Sequence, residues 1–150
     1  MKKSLLFLSL ITSISTINAQ WVEQATGFNV TGRGLSEIKI VNENTVWALA
    51  YDGRPVTPPA TENPDIQEIT RTADGGATWA YSVVNIGNTN LSLTNIAPVN
   101  GLTAWVGAVD KVAGLGGVYK TINGGVSWQQ QNSDGYSSSR RITVQRSTFL

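Results

Sequence analysis

An all-β fold made of repeated antiparallel sheets is what this sequence predicts, and three observations lead there. Two segments recur at constant offsets. Apolar and polar residues alternate, or run apolar, over short stretches bounded by Gly, Asn and Asp. No stretch of about 10–12 residues carries helical spacing with caps. Leu35, Ile38, Val41 and Asn42 return as Leu93, Ile96, Val99 and Asn100, an offset of 58, and Trp47 returns as Trp105 at the same offset. The segment from Arg71 to Trp79 returns from Lys120 to Trp128, an offset of 49. The shortfall is absorbed by a longer connection from Gly53 to Asp65, which holds Pro55, Pro58, Pro59 and Pro64, four of the five prolines.

Each unit reads as four strands. In the first unit they are 35–41 and 45–51 around the turn Asn42–Asn44, then 66–72 and 78–84 joined by Asp74, Gly75 and Gly76. In the second they are 93–99, 104–109, 117–121 and 127–131. The units therefore span approximately 35–84 and 93–131. Residues 21–28 resemble the segment from Trp128 to Tyr136, and Trp21 lies 58 before Trp79, so they read as an orphan last strand. Residues 140–150, with Ile142 and Val144 alternating as Ile38 and Ile40 do, read as the start of a further unit. Four antiparallel strands per repeat of about 40–50 residues is the arithmetic of a β-propeller blade. A chain that opens on a last strand also fits a ring closed by a terminal strand. The expected architecture is a β-propeller of four-stranded antiparallel blades, with two whole blades and partial strands present.

Composition narrows the chemistry. A chain of 150 residues with 14% charged and 41% hydrophobic residues is that of one globular domain. It has no cysteine, which excludes disulfides, thiolate nucleophiles, zinc ribbons and iron–sulfur sites. It has no histidine, which excludes a Ser-His-Asp triad, an imidazole base and a His-ligated metal. No catalytic residue, cofactor or metal site is expected. Asp52 and Asp110 hold equivalent positions at the ends of the second strands, where calcium ligation is conceivable, but an aspartate in a strand-end turn is the simpler reading.

Residues 1–19 read as a cleaved secretory signal. Lys2 and Lys3 precede an apolar stretch from Leu5 to Ile17, and Ala19 supplies the small residue before the cut. The mature segment, 20–150, is expected to be secreted to the extracellular space or cell surface, with no membrane span. Removing Lys2 and Lys3 leaves nine basic against ten acidic residues, a net charge of −1. With Arg140, Arg141 and Arg146 as the one basic cluster, nucleic acid is not an expected partner.

The turn at Asp74 has a structural task. Gly75 and Gly76 allow positive φ, and Asp74 can accept backbone N–H groups, as Asn123 can beside Gly124 and Gly125. Thr72 and Thr78, or Thr121 and Ser127, can tie the strand ends together. Trp79 and Trp128 are expected against a neighbouring blade, with an indole N–H that needs a partner. Thr72–Trp79 resembles the Asp-box, or BNR repeat, Ser/Thr-x-Asp-Gly-Gly-x-Thr-Trp. Thr121–Trp128 is similar but carries Asn123 for Asp. This resemblance covers most of the mature chain and implies the propeller fold of sialidases, sortilin-like domains, photosystem-assembly propellers and many secreted bacterial proteins. In that family the boxes lie at the blade periphery and are structural.

The sialidase site implied by part of that family needs an arginine cluster, a tyrosine–glutamate pair and an aspartate. Arg33, Arg54 and Arg71 are the arginines in and leading into the two units, and no Phe/Tyr-Arg-Ile-Pro motif occurs. The connection carrying Arg54, Glu62 and Asp65 is the candidate binding loop, stiffened by its prolines. Trp47 and Trp105 read as blade-packing residues. The leading expectation is a secreted non-catalytic propeller segment that serves in binding or surface attachment, with a protein or glycan as partner. It resembles large extracellular bacterial propellers exported by type IX secretion, but no sorting domain follows here. The alternatives are the N-terminal part of a glycosidase whose catalytic residues lie in other blades, and a small oligomeric lectin. Two blades with loose strands at both ends, the last stopping inside a strand, point to a truncated piece of a longer protein. A complete chain would instead call for homo-oligomeric ring closure.

Overall fold

The computed structural model describes residues 22–60, 64–110 and 116–132. The expected signal segment, Trp21, Glu62 and the expected further blade at 140–150 lie outside the described residues. Eight strands are described: β1 (Arg33–Ile40), β2 (Val46–Asp52), β3 (Glu68–Thr72), β4 (Ala80–Val83), β5 (Leu91–Pro98), β6 (Ala104–Asp110), β7 (Gly116–Thr121) and β8 (Gln129–Asn132). They form two four-stranded antiparallel sheets in sequential order, β1-β2-β3-β4 and β5-β6-β7-β8. Two meandering sheets stacked face to face are two blades of a β-propeller, and the fold class is all-β. Among the described residues no helix is long and apolar enough to cross a membrane.

The second strand of each blade is the most apolar because it is covered on both faces. Trp47, Ala48, Leu49 and Ala50 are all buried in β2, as are Val106, Ala108 and Val109 in β6. Each first strand bulges at one position, between Leu35 and Glu37 and again between Leu93 and Asn95. The bulged hydroxyl of Ser36 donates to the Leu49 carbonyl at 3.4 Å, and that of Thr94 to the Gly107 carbonyl at 3.1 Å. Both bulges obey the offset of 58, so the irregularity belongs to the repeat.

One core joins the sheets. Trp47, Leu49 and Ile69 of the first blade pack with Ile96, Val106, Ala108 and Tyr119 of the second, and Val84 and Leu91 flank the connection between them. Trp47 is fully buried, and its indole N–H donates across the repeat boundary to the Asn100 carbonyl at 3.0 Å. The Arg71 guanidinium lies 5.5 Å from the Trp47 ring centroid. Glu37 accepts the Ile96 N–H at 2.8 Å. Gly125, at φ 91°, sits so close that a Cβ there would meet Ile69 at 2.8 Å. Glycine is therefore needed at that turn both for its φ and for the approach of the two blades.

Three expectations change. The first strands start at Arg33 and Leu91, two residues earlier than the alternation indicates, because Arg33–Asp52 and Leu91–Asp110 continue the ladder beyond the bulge. The fourth strands start at Ala80 and Gln129, after the tryptophans, because the Asp74 and Asn123 turns spend their backbone groups on their own side chains. Residues 22–28, read as an orphan strand, form no ladder with any described strand. They lie on the first blade instead. The Thr26 carbonyl accepts the Thr70 hydroxyl at 2.6 Å, and Phe28 meets Tyr81 edge-on at 5.7 Å between centroids.

Candidate functional site

The two ends of the blades differ in kind. At one end lie the β1–β2 and β3–β4 turns with their counterparts in the second blade, and all four close on themselves. Asn42 accepts the N–H groups of Asn44 and Thr45 at 3.0 and 2.8 Å. Asn100 does the same for Leu102 and Thr103, both at 2.8 Å. The Thr72 hydroxyl donates to Asp74 at 2.8 Å and accepts the Gly76 N–H at 2.9 Å. Asp74 accepts the Thr78 N–H at 2.9 Å and also the Thr78 hydroxyl. In the second blade Thr121 donates to Asn123 and accepts the Gly125 N–H, and Asn123 accepts the Ser127 N–H at 3.0 Å. There the last contact is reversed, since the Asn123 amide donates to the Ser127 hydroxyl.

Gly75, Gly76, Gly124 and Gly125 all have positive φ. Gly75 and Gly124 donate to the Asn44 and Leu102 carbonyls, each at 2.9 Å, and so lock this turn to the neighbouring one. The hydrogen bonds from Thr78 and Thr72 lower the Asp74 carboxyl to about 2. Trp79 and Trp128 are half-buried, and Trp128 packs on the shared core. Their indole nitrogens are buried with no hydrogen-bond partner among the described residues. Among the described residues these N–H groups thus find no partner, whereas that of Trp47 has one.

The opposite end carries the β2–β3 connection, residues 53–67, and the link between blades, residues 84–90. It also gathers charge. Arg33, at the start of β1, holds Glu68, at the start of β3, through Nε at 2.7 Å and Nη2 at 2.9 Å. Its Nη1 lies 3.2 Å from the Asp52 carboxylate, an electrostatic contact without hydrogen-bond alignment. Arg54 forks onto the same carboxylate. The Arg54 hydrogen bond, helped by the Arg54 N–H and the Arg33 charge, holds the Asp52 carboxyl far below the usual range. The side chains of Arg33, Asp52 and Glu68 are 9%, 1% and 11% exposed, while that of Arg54 is 53% exposed. This pairing makes Asp52 an anchor for arginines rather than the conceivable calcium ligand, and among the described residues no group of three acidic side chains could hold a metal.

The candidate loop is anchored from both sides. Gly53 donates to the Gly32 carbonyl at 2.7 Å, and Ser92 of the second blade donates to Asp65. Gln67 donates to the Asn88 and Leu91 carbonyls, both at 2.7 Å. Residues 53–60 between these ties are exposed throughout. Arg54 and Asp65 are thus placed on this end without touching, and Glu62 lies outside the described residues. Arg71 is remote from Arg33 and Arg54, stacked on Trp47, so the three arginines do not converge.

Beside this cluster, at the same end of the second blade, is a cavity of about 350 Å³ lined by Ile86, Asn88, Leu91, Asp110, Tyr119 and Gln130, among others. Burial pushes the Tyr119 phenol up, which keeps it a neutral donor. Sequence reasoning singled out Asp52 and Asp110 as equivalents and named Arg33 among the arginines, but missed the pairing of Arg33 with Glu68 and the cavity. The available signal was a charged residue opening the first strand, where the second repeat has Leu91.

No protein-family model matches the chain, and no curated protein matches it. A solved structure described as "YCF48 bound to D1 peptide" is similar at a TM-score of 0.43 and 15% identity. The match covers 69% of this chain and 28% of that one, so the chain spans little more than a quarter of that protein's length. The fold stands on the two stacked sheets themselves.

Proposed function

We propose that this chain is a segment of a secreted, non-catalytic β-propeller of the Asp-box kind that binds a protein or glycan at the cell surface. Binding is through the loop-bearing end of its blades. One observation carries this reading. Residues 53–60 are fully presented to solvent, yet the loop is tied down on one side by Gly53–Gly32 and Arg54–Asp52 and on the other by Asp65–Ser92 and Gln67. A loop already fixed loses little conformational entropy on binding, which is what a recognition surface needs. The polar groups of the Asp74 and Asn123 turns are consumed locally, which suits a scaffold role for that end.

The test is retention of the labelled chain on the surface of the cells that produce it. Replacing residues 53–60 by a Gly/Ser stretch of equal length should release the chain while leaving its melting transition in place. Unchanged retention would refute the loop as the binding surface, and turnover of a fluorogenic sialoside by the chain would refute the non-catalytic role.

A further inference from the structure

We propose that the Tyr51 ring, seated on the backbone of Gly34 beside the tethered loop, is a stacking platform for a hexose ring of a neutral, β-linked glycan. This rests on the loop reading above and names the ligand class for that end of the first blade. Tyr51 stands directly opposite Gly34 in the β1–β2 ladder. A Cβ at Gly34 would collide with Cε1, Cζ and the hydroxyl of Tyr51, so the ring lies on bare backbone that only glycine provides. On its other edge Cε2 lies beside Gly53, 3.4 Å from where a Cβ would stand there. Two glycines thus support the ring, and the residue is still 50% exposed. The repeat makes that exposure informative. At the offset of 58 the same cross-strand pair is Ser92–Val109, and these residues are 5% and 3% exposed. The second blade closes this point with small buried side chains, whereas the first turns a large aromatic toward water, which blade formation does not require.

The surroundings define the ligand. The charges next to Tyr51 cancel, since Arg33 and Arg54 are matched by Asp52 and Glu68. A charged ligand therefore gains no net attraction from this cluster, and a neutral one is favoured. Anchors of protein partners fill pockets, but a ring laid flat on backbone offers a face instead. A hexose whose hydroxyls are all equatorial has a flat C–H face of matching size. Its rim of hydroxyls would meet polar groups around the platform, namely the Tyr51 hydroxyl and the exposed side chains of Arg54 and Thr57.

The full chain is titrated with cellotetraose and with N-acetylated chitotetraose, followed by the Tyr51 ring protons and the amide resonances of Gly34 and Gly53. The proposal expects saturable shifts with at least one of the two. Tyr51→Ala should weaken that binding about tenfold or more, while Tyr51→Phe, which keeps the face, should stay within about threefold of the original. Tetraglucuronate of the same linkage should bind no tighter than the neutral sugars. Absence of a saturable shift with both neutral probes would overturn the proposal on the unaltered chain, whatever the variants do. Equal losses in Tyr51→Phe and Tyr51→Ala, or tenfold tighter binding of the uronate, would overturn it as well. If cell retention depends on residues 53–60 while neither sugar binds, the loop reading stands, the glycan falls, and a protein partner takes its place.

Discussion

The two blades are near-copies at one end and different at the other. At the turn end the side-chain hydrogen bonds of the Asn42 and Asp74 turns have their counterparts in the second blade, even where Asn123 replaces Asp74 and must reverse one donor. At the loop end the first blade is closed by Arg33, Asp52, Glu68 and Arg54, whereas the second has Leu91 and Gly117 and an open cavity. The turns determine whether a blade can form and stack, and this leaves them little freedom. The loop ends are not required by stacking, so they can differ between copies and take on separate tasks.

The comparison can be broken most forcefully at the blade boundary. Trp47 is fully covered by the second blade, while its counterpart Trp105 is half-buried with Lys120 4.9 Å from its ring. Trp47→Ala should cost about 4 kcal/mol in urea unfolding, and Trp105→Ala less than half as much. Equal losses would mean that the boundary is not where the stability resides.

The ion cluster gives the next effect. Arg33→Met leaves Glu68 buried without its fork and should cost about 3 kcal/mol, also read in urea. Adding Glu68→Leu should recover most of that loss, making the first blade resemble the second in chemistry without harm to the fold.

Smaller effects come from the turns. Asp74→Ala should lower the melting temperature by roughly 5 °C, and Asn123→Ala by a similar amount or less. Asp74→Asn, which copies the second blade into the first, should shift it little at neutral pH. The difference appears in acid. The folded Asp74 carboxyl is lowered from 3.8 to about 2, so its contribution is present above pH 4 and is lost as pH falls toward 2. Asp74→Asn should flatten the stability curve across that window, as followed by thermal melts at stepped pH.

Much of this was legible in the sequence because the repeat is written in local pattern. Leu, Ile, Val and Trp at fixed offsets located eight strands, and Asp74-Gly75-Gly76 located a turn whose bonds follow from side-chain chemistry. The loop-end cluster was not legible in the same way. Arg33 and Glu68 are 35 residues apart, and only the β1–β2–β3 register brings them together. The cavity was harder still, since its lining comes from the link between blades and from all four strands of the second sheet, which only the fold brings together. The part of Trp47 was half visible, because alternation marked it as packed but could not supply its partner, the Asn100 carbonyl 53 residues on.

The central claim is that two successive repeats share one core, sealed by Trp47. Indole hydrogen exchange on the full chain tests it most directly, with tryptophan N–H resonances assigned and followed by NMR. The Trp47 indole N–H should exchange only through global unfolding, and the Trp47 Hζ3 ring proton should show a cross-peak to Gly125 across the repeat boundary. Exchange as fast as that of Trp105, with no such cross-peak, would mean that the blades do not stack as described.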